Sequence, residues 1–291
     1  MNRREVLKSL GILAGGTGLL TSGYLYIEDK NMKKLKPKEG RIPADLHVHL
    51  YRFLDPSIVR KTLSQPGLIG LADYTVPNEL LNFYDLRKYP EFREIDPGIL
   101  GTFTYNGNTG YVLNVQEVTL EHHISALGCK KNIVSMSLGE AIEEIHEKSG
   151  LAILNHPWVV PSGDIFRYRS INDDEKRTID WIAREVDGIE VFNGQCIDLF
   201  PPIDRVNMEF ANKKAKEYAQ HLGYKEFATS DAHWYTQALT SGIFIPDQDL
   251  TFNKLKQYIK SGDYFIEGNP VSRISFVKGH LPQLGKALDF I

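Results

Sequence analysis

The chain has few cysteines and little net charge, and each shortage excludes a class of protein. Its 291 residues include two cysteines, Cys129 and Cys196, and neither belongs to a Cys-x-x-Cys motif. A disulfide-stabilised scaffold is therefore excluded, and both thiols are expected in the core. The formal charge of −3 is unlike the basic surface that non-specific nucleic-acid binding requires. We expect a small-molecule substrate, a class that includes nucleotides, and no stable nucleic-acid partner.

The first thirty residues differ in composition from the rest of the chain. Arg3 and Arg4 form a pair that is followed by Leu7-Lys8 and by an apolar, glycine-rich run over residues 12–27. A basic start before a short apolar run is typical of an export signal, and the arginine pair resembles a twin-arginine signal. We expect residues 1–30 to be an export signal or a membrane anchor, and 31–40 a linker. The protein is then expected in the periplasm or another extracytoplasmic compartment.

Residues 41–291 alternate between short apolar runs and amphipathic segments. Strands are predicted over residues 42–48, 68–72, 111–118, 124–127, 151–154, 188–192 and 227–229. Helices are predicted over 137–148, 173–185 and 205–222. This alternation favours an α/β fold built from βα units with a largely parallel sheet. The proline-rich and glycine-rich region 88–108 is predicted to be a long loop that borders the substrate site.

Side chains able to bind metals end several of these apolar runs. His47 and His49 are two residues apart on the first predicted strand, and therefore lie on one face. Two imidazoles are not enough, because a divalent metal such as zinc takes three or four protein ligands. Further candidates end other runs, where α/β barrels carry their chemistry: Glu117, His123, His156, Asp231 and His233. Three other histidines are expected to be surface or hydrogen-bonded core residues: His146, His221 and His280.

These motifs resemble those of the polymerase and histidinol phosphatase (PHP) family of metal-dependent phosphoesterases. The resemblance covers roughly residues 42–233. Its motifs are Asp45-Leu-His-Val-His49, Glu117 followed by His123-Ile-Ser-Ala-Leu-Gly128, Asn155-His156-Pro157, Asp187-Gly-Ile-Glu-Val-Phe-Asn193 and Ser230-Asp-Ala-His233. It implies a distorted seven-stranded (β/α)7 barrel with two or three metals at the carboxyl ends of the strands. Residues 41–291 are then one PHP-type catalytic domain.

The resemblance also implies a role for each motif residue. One metal would be held by four side chains: His47, His49, Glu117 and Asp231. Glu117 would bridge to a second metal, which His123 and His156 also bind. His123 is preferred to His122 because the family's Ile-Ser-Ala-Leu-Gly sequence follows it. The expected cofactors are two divalent ions of zinc, manganese or iron.

The chain departs from the family pattern at the third metal. Tyr74 stands where the family has the histidine of a Thr-Asp-His segment, and the family's Ser-Asp-Gly segment after the first motif is absent. Asp55 and Asp73 are the nearest substitute ligands, so the third ion is expected to be weak or missing. His233 would bind that ion or the substrate, or act as a general acid. Arg52 is predicted to contact the substrate phosphate.

The implied function is hydrolysis of a small phosphomonoester or a short phosphodiester by metal-activated water. One alternative is an amidohydrolase-type hydrolase, which also begins with His-x-His but usually adds a lysine that bridges its metals. Another is a catalytically weakened PHP barrel that serves as a binding protein, since one family histidine is missing.

Overall fold

The computed structural model describes residues 32–74, 79–159, 171–197 and 208–280, except 274 and 277. The predicted export signal of residues 1–30 lies outside the described residues, as does the start of the helix predicted over 205–222. Within the described ranges, every helix is too short or too polar to cross a membrane.

The described residues form one sheet of eleven strands with helices around it. The strands are β1 Arg41–Val48, β2 Leu68–Tyr74, β3 Phe92–Asp96, β4 Leu100–Tyr105, β5 Asn108–Thr119, β6 His123–Leu127, β7 Leu151–Leu154, β8 Gly188–Asn193, β9 Glu226–Thr229, β10 Ser241–Pro246 and β11 Phe265–Gly268. The helices are α1 Pro56–Leu63, α2 Leu138–Glu147, α3 Asp173–Glu185, α4 Met208–Leu222 and α5 Phe252–Ser261, with a 3₁₀ helix at Phe83–Lys88. A further helical stretch reaches His280.

The sheet curves until its two ends nearly meet. Its strand order is β11-β10-β1-β2-β5-β6-β7-β8-β9, and β4 pairs with both β3 and β5 beside this path. Past the end of β1, the N–H of His49 donates to the carbonyl of Ala232 at 2.7 Å. Val48 forms a parallel bridge with the same residue, which follows β9. The strands that carry the first and last predicted site residues therefore lie side by side.

The predicted α/β barrel is confirmed in outline, but its seven strands and its largely parallel order are wrong. Among the strands of the described residues, four pairs are parallel: β1–β2, β2–β5, β7–β8 and β8–β9. The region predicted as a loop over 88–108 instead forms β3 and β4, and β4 pairs with β5. Asn106 and Gly107 make the connecting turn with φ values of 51° and 77°. Asn-Gly is a preferred pair for such a hairpin turn, so the sequence did carry this signal.

The bounds of α2 and α3 match the predicted helices to within one residue, and both helices begin at a side-chain cap. Ser137 caps α2 by accepting from the N–H of Glu140. The side chain of Asn172 accepts from the N–H of Glu175 at the start of α3, and Glu175 reaches back to the N–H of Asn172. Such caps satisfy N–H groups that have no partner inside the helix. The buried residues of both helices pack in one cluster on the sheet.

The segment before β1 packs against the barrel. Leu35 is buried, and its N–H donates to the carbonyl of Leu239 at 2.7 Å. The ammonium of Lys34 donates to Oε1 of Gln65 at 2.9 Å, and burial lowers the pKa of Lys34 to about 8. Residues 32–40 are thus held in place in the structure, while the division of the chain at residues 30 and 40 stays a prediction.

Asp45 fastens β1 to the chain that follows β9. Its carboxylate is fully buried and accepts from the N–H and the hydroxyl of Ser230 at 3.0 and 2.5 Å. It also accepts from the N–H of Leu239 at 2.8 Å. Burial raises the pKa of Asp45 to about 6, against the effect of these donors.

Replacing this carboxylate should weaken the fold. In Asp45→Asn, the new NH2 group faces donors, so a buried N–H loses its acceptor. We expect the free energy of unfolding to fall by about 1–3 kcal/mol, measured by urea denaturation at neutral pH. Asp263→Asn is the control, because Asp263 pairs with Arg41 at the surface and such pairs contribute about 1 kcal/mol or less. Equal stability of Asp45→Asn and wild type would contradict the fastening role.

Candidate metal centre

The two histidines of β1 are buried and turned towards each other. His47 is 1% exposed and His49 is fully buried. Their Nε2 atoms are 3.0 Å apart. Nδ1 of His49 lies 3.1 Å from the carbonyl oxygen of Ala72, which can only accept, so the proton is on Nδ1. In the neutral ring, Nε2 of His49 is therefore left with a lone pair directed into the site.

Glu117 of β5 lies between two pairs of histidines. Its Oε1 is 2.9 Å from Nδ1 of His123 and 3.6 Å from Nε2 of His156. The same oxygen is 3.4 Å from Nε2 of His47, and Oε2 is 3.4 Å from Nε2 of His49. Leu113 and Val115 alternate with Glu117 on the same face of β5 and pack in the apolar core. The carboxylate thus ends an apolar face and is itself only 2% exposed.

Asp231 brings a second carboxylate to the same place. Its Oδ1 is 3.5 Å from Nε2 of both His47 and His49, and 3.6 Å from Nδ1 of His233. Oδ2 accepts from the amide of Asn193 at 3.1 Å. Asp231 has a φ of 50°, which is uncommon for a residue other than glycine. Such strained backbone occurs where the surrounding structure holds a side chain in place.

These side chains form three overlapping groups of potential metal ligands. The groups are His47, His49 and Glu117; Glu117, His123 and His156; and His49, Asp231 and His233. Within each group, one ligand atom per residue lies within 4.8 Å of the others. Imidazole nitrogens and carboxylate oxygens suit zinc, manganese and iron. The residues therefore fit divalent metal ions. All seven residues predicted as ligands are brought together, whereas their binding of metal stays a prediction.

The charges inside the cluster depend on one another. Burial alone would lower the pKa of His47, but Asp231 and Glu117 raise it well above the usual value. Burial alone would raise the pKa of Glu117, but His123 and His47 hold it well below its usual range. Burial alone would also raise the pKa of Asp231, but His47 and His233 lower it to about 2. The carboxylates are thus ionised and ready to receive cations, while a proton on His47 competes with any metal.

Several solved structures resemble the chain, whereas no protein-family model and no curated protein matches it. The crystal structure of PsfC from Pseudomonas syringae aligns with a TM-score of 0.56 and 14% identity, over 84% of this chain and 99% of that chain. This chain shares the fold of PsfC.

Two further solved structures align with lower TM-scores. A two-domain protein from Bacteroides vulgatus, described as containing a predicted PHP-like metal-dependent phosphoesterase, gives 0.48 and 13% identity over 81% of this chain and 68% of that one. The lesion-specific endonuclease PfuEndoQ from Pyrococcus furiosus gives 0.46 and 16% identity over 78% of this chain and 57% of that one.

Tyr74 and His233 lie at one edge of the cluster. The Tyr74 hydroxyl is 3.3 Å from Nε2 of His233, and its ring stacks on His49 with centroids 4.8 Å apart. Nδ1 of His233 lies 2.8 Å from the carbonyl oxygen of Asp231 and so carries the proton. Burial lowers the pKa of His233 to about 3, so its ring is neutral at pH 7. A neutral ring suits a ligand or hydrogen-bonding role, and the general-acid role stays a prediction.

The other polar residues predicted near the site have partners of their own. Arg52 pairs with Asp85 at 2.9 Å and is about half exposed. Asp55 caps α1 by accepting from the N–H of Ser57 at 2.7 Å. Asp73 accepts from the N–H of Tyr74 at 2.9 Å. Asp55 is thus used in the fold, and a phosphate contact from Arg52 stays a prediction.

Glu190 and His280 belong to the site region but were not among the predicted site residues. Glu190 of β8 is buried, accepts from the N–H of His156 at 2.6 Å, and lies 3.6 Å from Nδ1 of His47. A carboxylate within the otherwise apolar run 188–192 could have identified Glu190 as a site residue from the sequence. His280 bonds through Nδ1 to a carbonyl oxygen, as expected of a core histidine, but its ring also lies on His233. The sequence carries no signal for that contact.

Metal affinity should depend on pH because protons and metal compete for His47. Its pKa is raised above the usual 6.5, so protonation opposes metal binding up to a higher pH than for an ordinary histidine. Measured from about pH 9 down to about pH 5, Mn²⁺ affinity should fall with pH, and the fall should begin above the pH at which an ordinary histidine titrates, with protons released on binding. Isothermal titration calorimetry in buffers of different ionisation enthalpy measures both quantities.

A surface histidine provides the control for this measurement. His146→Ala removes a histidine that pairs with Asp187 outside the cluster, so its pH profile should match that of wild type. An Mn²⁺ affinity that stays constant over this pH range would contradict competition at His47.

Proposed function

We propose that the protein is a metal-dependent phosphoesterase whose centre holds two divalent ions. The observation that carries the proposal is the position of Glu117 in two ligand groups, one with His47 and His49 and the other with His123 and His156. A carboxylate shared in this way keeps two cations close and offsets part of their repulsion. The substrate would be a small phosphomonoester or a short phosphodiester.

Two such ions would supply a water of lowered pKa and would stabilise the charge that develops on the phosphoryl oxygens. The side chains around them have supporting roles. Nδ1 of His49 donates to the carbonyl of Ala72, which keeps Nε2 directed into the centre. The amide of Asn193 donates to Oδ2 of Asp231 and so holds that carboxylate in position. At the edge, the Tyr74 hydroxyl donates to Nε2 of His233, and the same hydroxyl could turn to donate to an ester oxygen of a bound substrate.

The ligand chemistry favours this function over an amidohydrolase. Within the described part of the chain, the strands β1, β5, β6, β7 and β8 carry no lysine. The bridging position belongs to Glu117, whereas the amidohydrolase pattern places a lysine there. A third ion stays outside the proposal, because Tyr74 offers a phenol hydrogen-bonded to His233 where the PHP pattern has a ligand.

Export and partners remain part of the proposal. The Arg3-Arg4 pair and the apolar run of residues 12–27 support export, and they lie outside the described residues. The formal charge of −3 supports a small substrate instead of a stable nucleic-acid partner.

Glu117→Gln tests the centre directly. An amide at this position bridges two cations poorly, so we expect less than one bound metal per chain by mass spectrometry of the eluted metal. Hydrolysis of bis(p-nitrophenyl) phosphate should fall by at least about 100-fold, since even residues that only support ligands cost 10- to 100-fold. Glu121→Gln is the matched control, because Glu121 is exposed on the turn between β5 and β6 and belongs to no ligand group.

The outcomes separate the competing functions. Unchanged turnover and metal content in Glu117→Gln would contradict the proposed centre. Wild-type protein that hydrolyses amides but no phosphoester in a panel would favour the amidohydrolase reaction. Wild-type protein that binds metal but turns over neither class would favour a binding protein.

A further inference from the structure

The last helical residues of the described chain lie against the edge of the metal centre. The ring of His280 stacks on that of His233, with centroids 4.7 Å apart and planes at 27°. On its other side, His280 stacks on Phe276 with centroids 4.2 Å apart. His233 in turn lies 4.7 Å from the ring of His49. Four rings are therefore in contact from His49 to the C-terminal segment, with Phe276, His280 and His233 stacked and His49 tilted by 40° against His233.

This segment is fitted closely to His233. The buried hydroxyl of Tyr51 donates to the carbonyl of Gly279 at 2.9 Å. A Cβ atom placed on Gly279 would lie 2.8 Å from Cβ of His233, closer than such atoms approach. Only glycine allows this approach of the backbone. Nδ1 of His280 bonds to the carbonyl oxygen of Phe276 at 2.9 Å, which fixes the orientation of its ring.

The geometry does not make His280 a further ligand. Ring nitrogens bind metals in the plane of the ring, and two nearly parallel stacked rings direct their lone pairs side by side. Accordingly, His280 belongs to none of the three ligand groups. What it does provide is a flat surface that limits the rotation of His233. The other limits are the carbonyl of Asp231 at Nδ1 and the hydroxyl of Tyr74 at Nε2.

We propose that His280 is a positioning residue, which holds the ring of His233 by stacking so that its Nε2 keeps a fixed direction beside Tyr74. The inference rests on the proposed phosphoesterase function, in which this pair meets an ester oxygen of the substrate. Groups that orient active-site side chains typically contribute 10- to 100-fold to activity, because small displacements of a reacting group are costly.

The experiment compares two substitutions at residue 280 in the full-length, Mn²⁺-loaded protein. His280→Ala removes the stack, and we expect kcat for bis(p-nitrophenyl) phosphate to fall by about 10- to 100-fold, with KM and bound Mn²⁺ little changed. His280→Phe keeps a flat ring and should recover most of the loss. Tyr51→Phe, which releases Gly279, should lower kcat in the same direction. His221→Ala changes an exposed histidine of α4 and is the control.

A spectroscopic readout separates this inference from the proposed function. In the apo protein with ¹³C,¹⁵N-labelled histidine, the ring current of His280 shifts the His233 ring protons. This shift should disappear in His280→Ala and persist in His280→Phe, even if the protein hydrolyses no phosphoester. An unchanged His233 spectrum or an unchanged kcat in His280→Ala would overturn the inference. Loss of Mn²⁺ from His280→Ala would also overturn it by indicating a ligand, as would a kcat in His280→Phe as low as in His280→Ala.

Discussion

The burial of ionised carboxylates among histidines is the constraint on which the rest of this structure depends. Taking a carboxylate such as Glu117 out of water costs several kcal/mol unless positive groups surround it. His47, His123 and His156 surround Glu117, and Asp231 has a similar set. The backbone is arranged to bring these groups together, with positive φ at both His156 and Asp231. The barrel can therefore be understood as a scaffold for a compact array of charges.

The parts of the fold that local sequence determines were predicted well. The apolar run of β7 and the capped, amphipathic helices α2 and α3 have bounds within one residue of the predicted ones. Pairing direction depends instead on how distant strands meet, and a single run of apolar residues does not record it. For that reason, the antiparallel pairing of β6 with β5 and of β10 with β1 was not predicted. The β4–β5 hairpin was also missed, because region 88–108 was predicted to be a loop although Asn106-Gly107 signals such a turn locally.

The candidate site likewise contains residues that local sequence marks and residues that only tertiary packing brings there. The seven residues predicted as ligands occur in short motifs beside strand ends, so sequence and family resemblance were sufficient to predict that they lie together, while their binding of metal stays a prediction. Glu190 could have been found as a charge inside an apolar strand. His280 reaches the site only through the packing of the C-terminal segment, and no local pattern marks it. Arg52 is close to β1 in sequence and pairs with Asp85, and its contact with a substrate phosphate stays a prediction.

The junction between Asp45 and Ser230 joins residues that are 185 positions apart in the chain. Contacts of this kind form late and slowly, because a long loop must close before any of them stabilises the fold. The predicted ligands His47, His49 and Asp231 lie beside this junction, so an ion bound to them would link the two sides. Ligand binding to the folded state alone contributes about 2.7 kcal/mol at a concentration one hundred times Kd. Metal supply would then govern the lifetime of the protein as well as its chemistry.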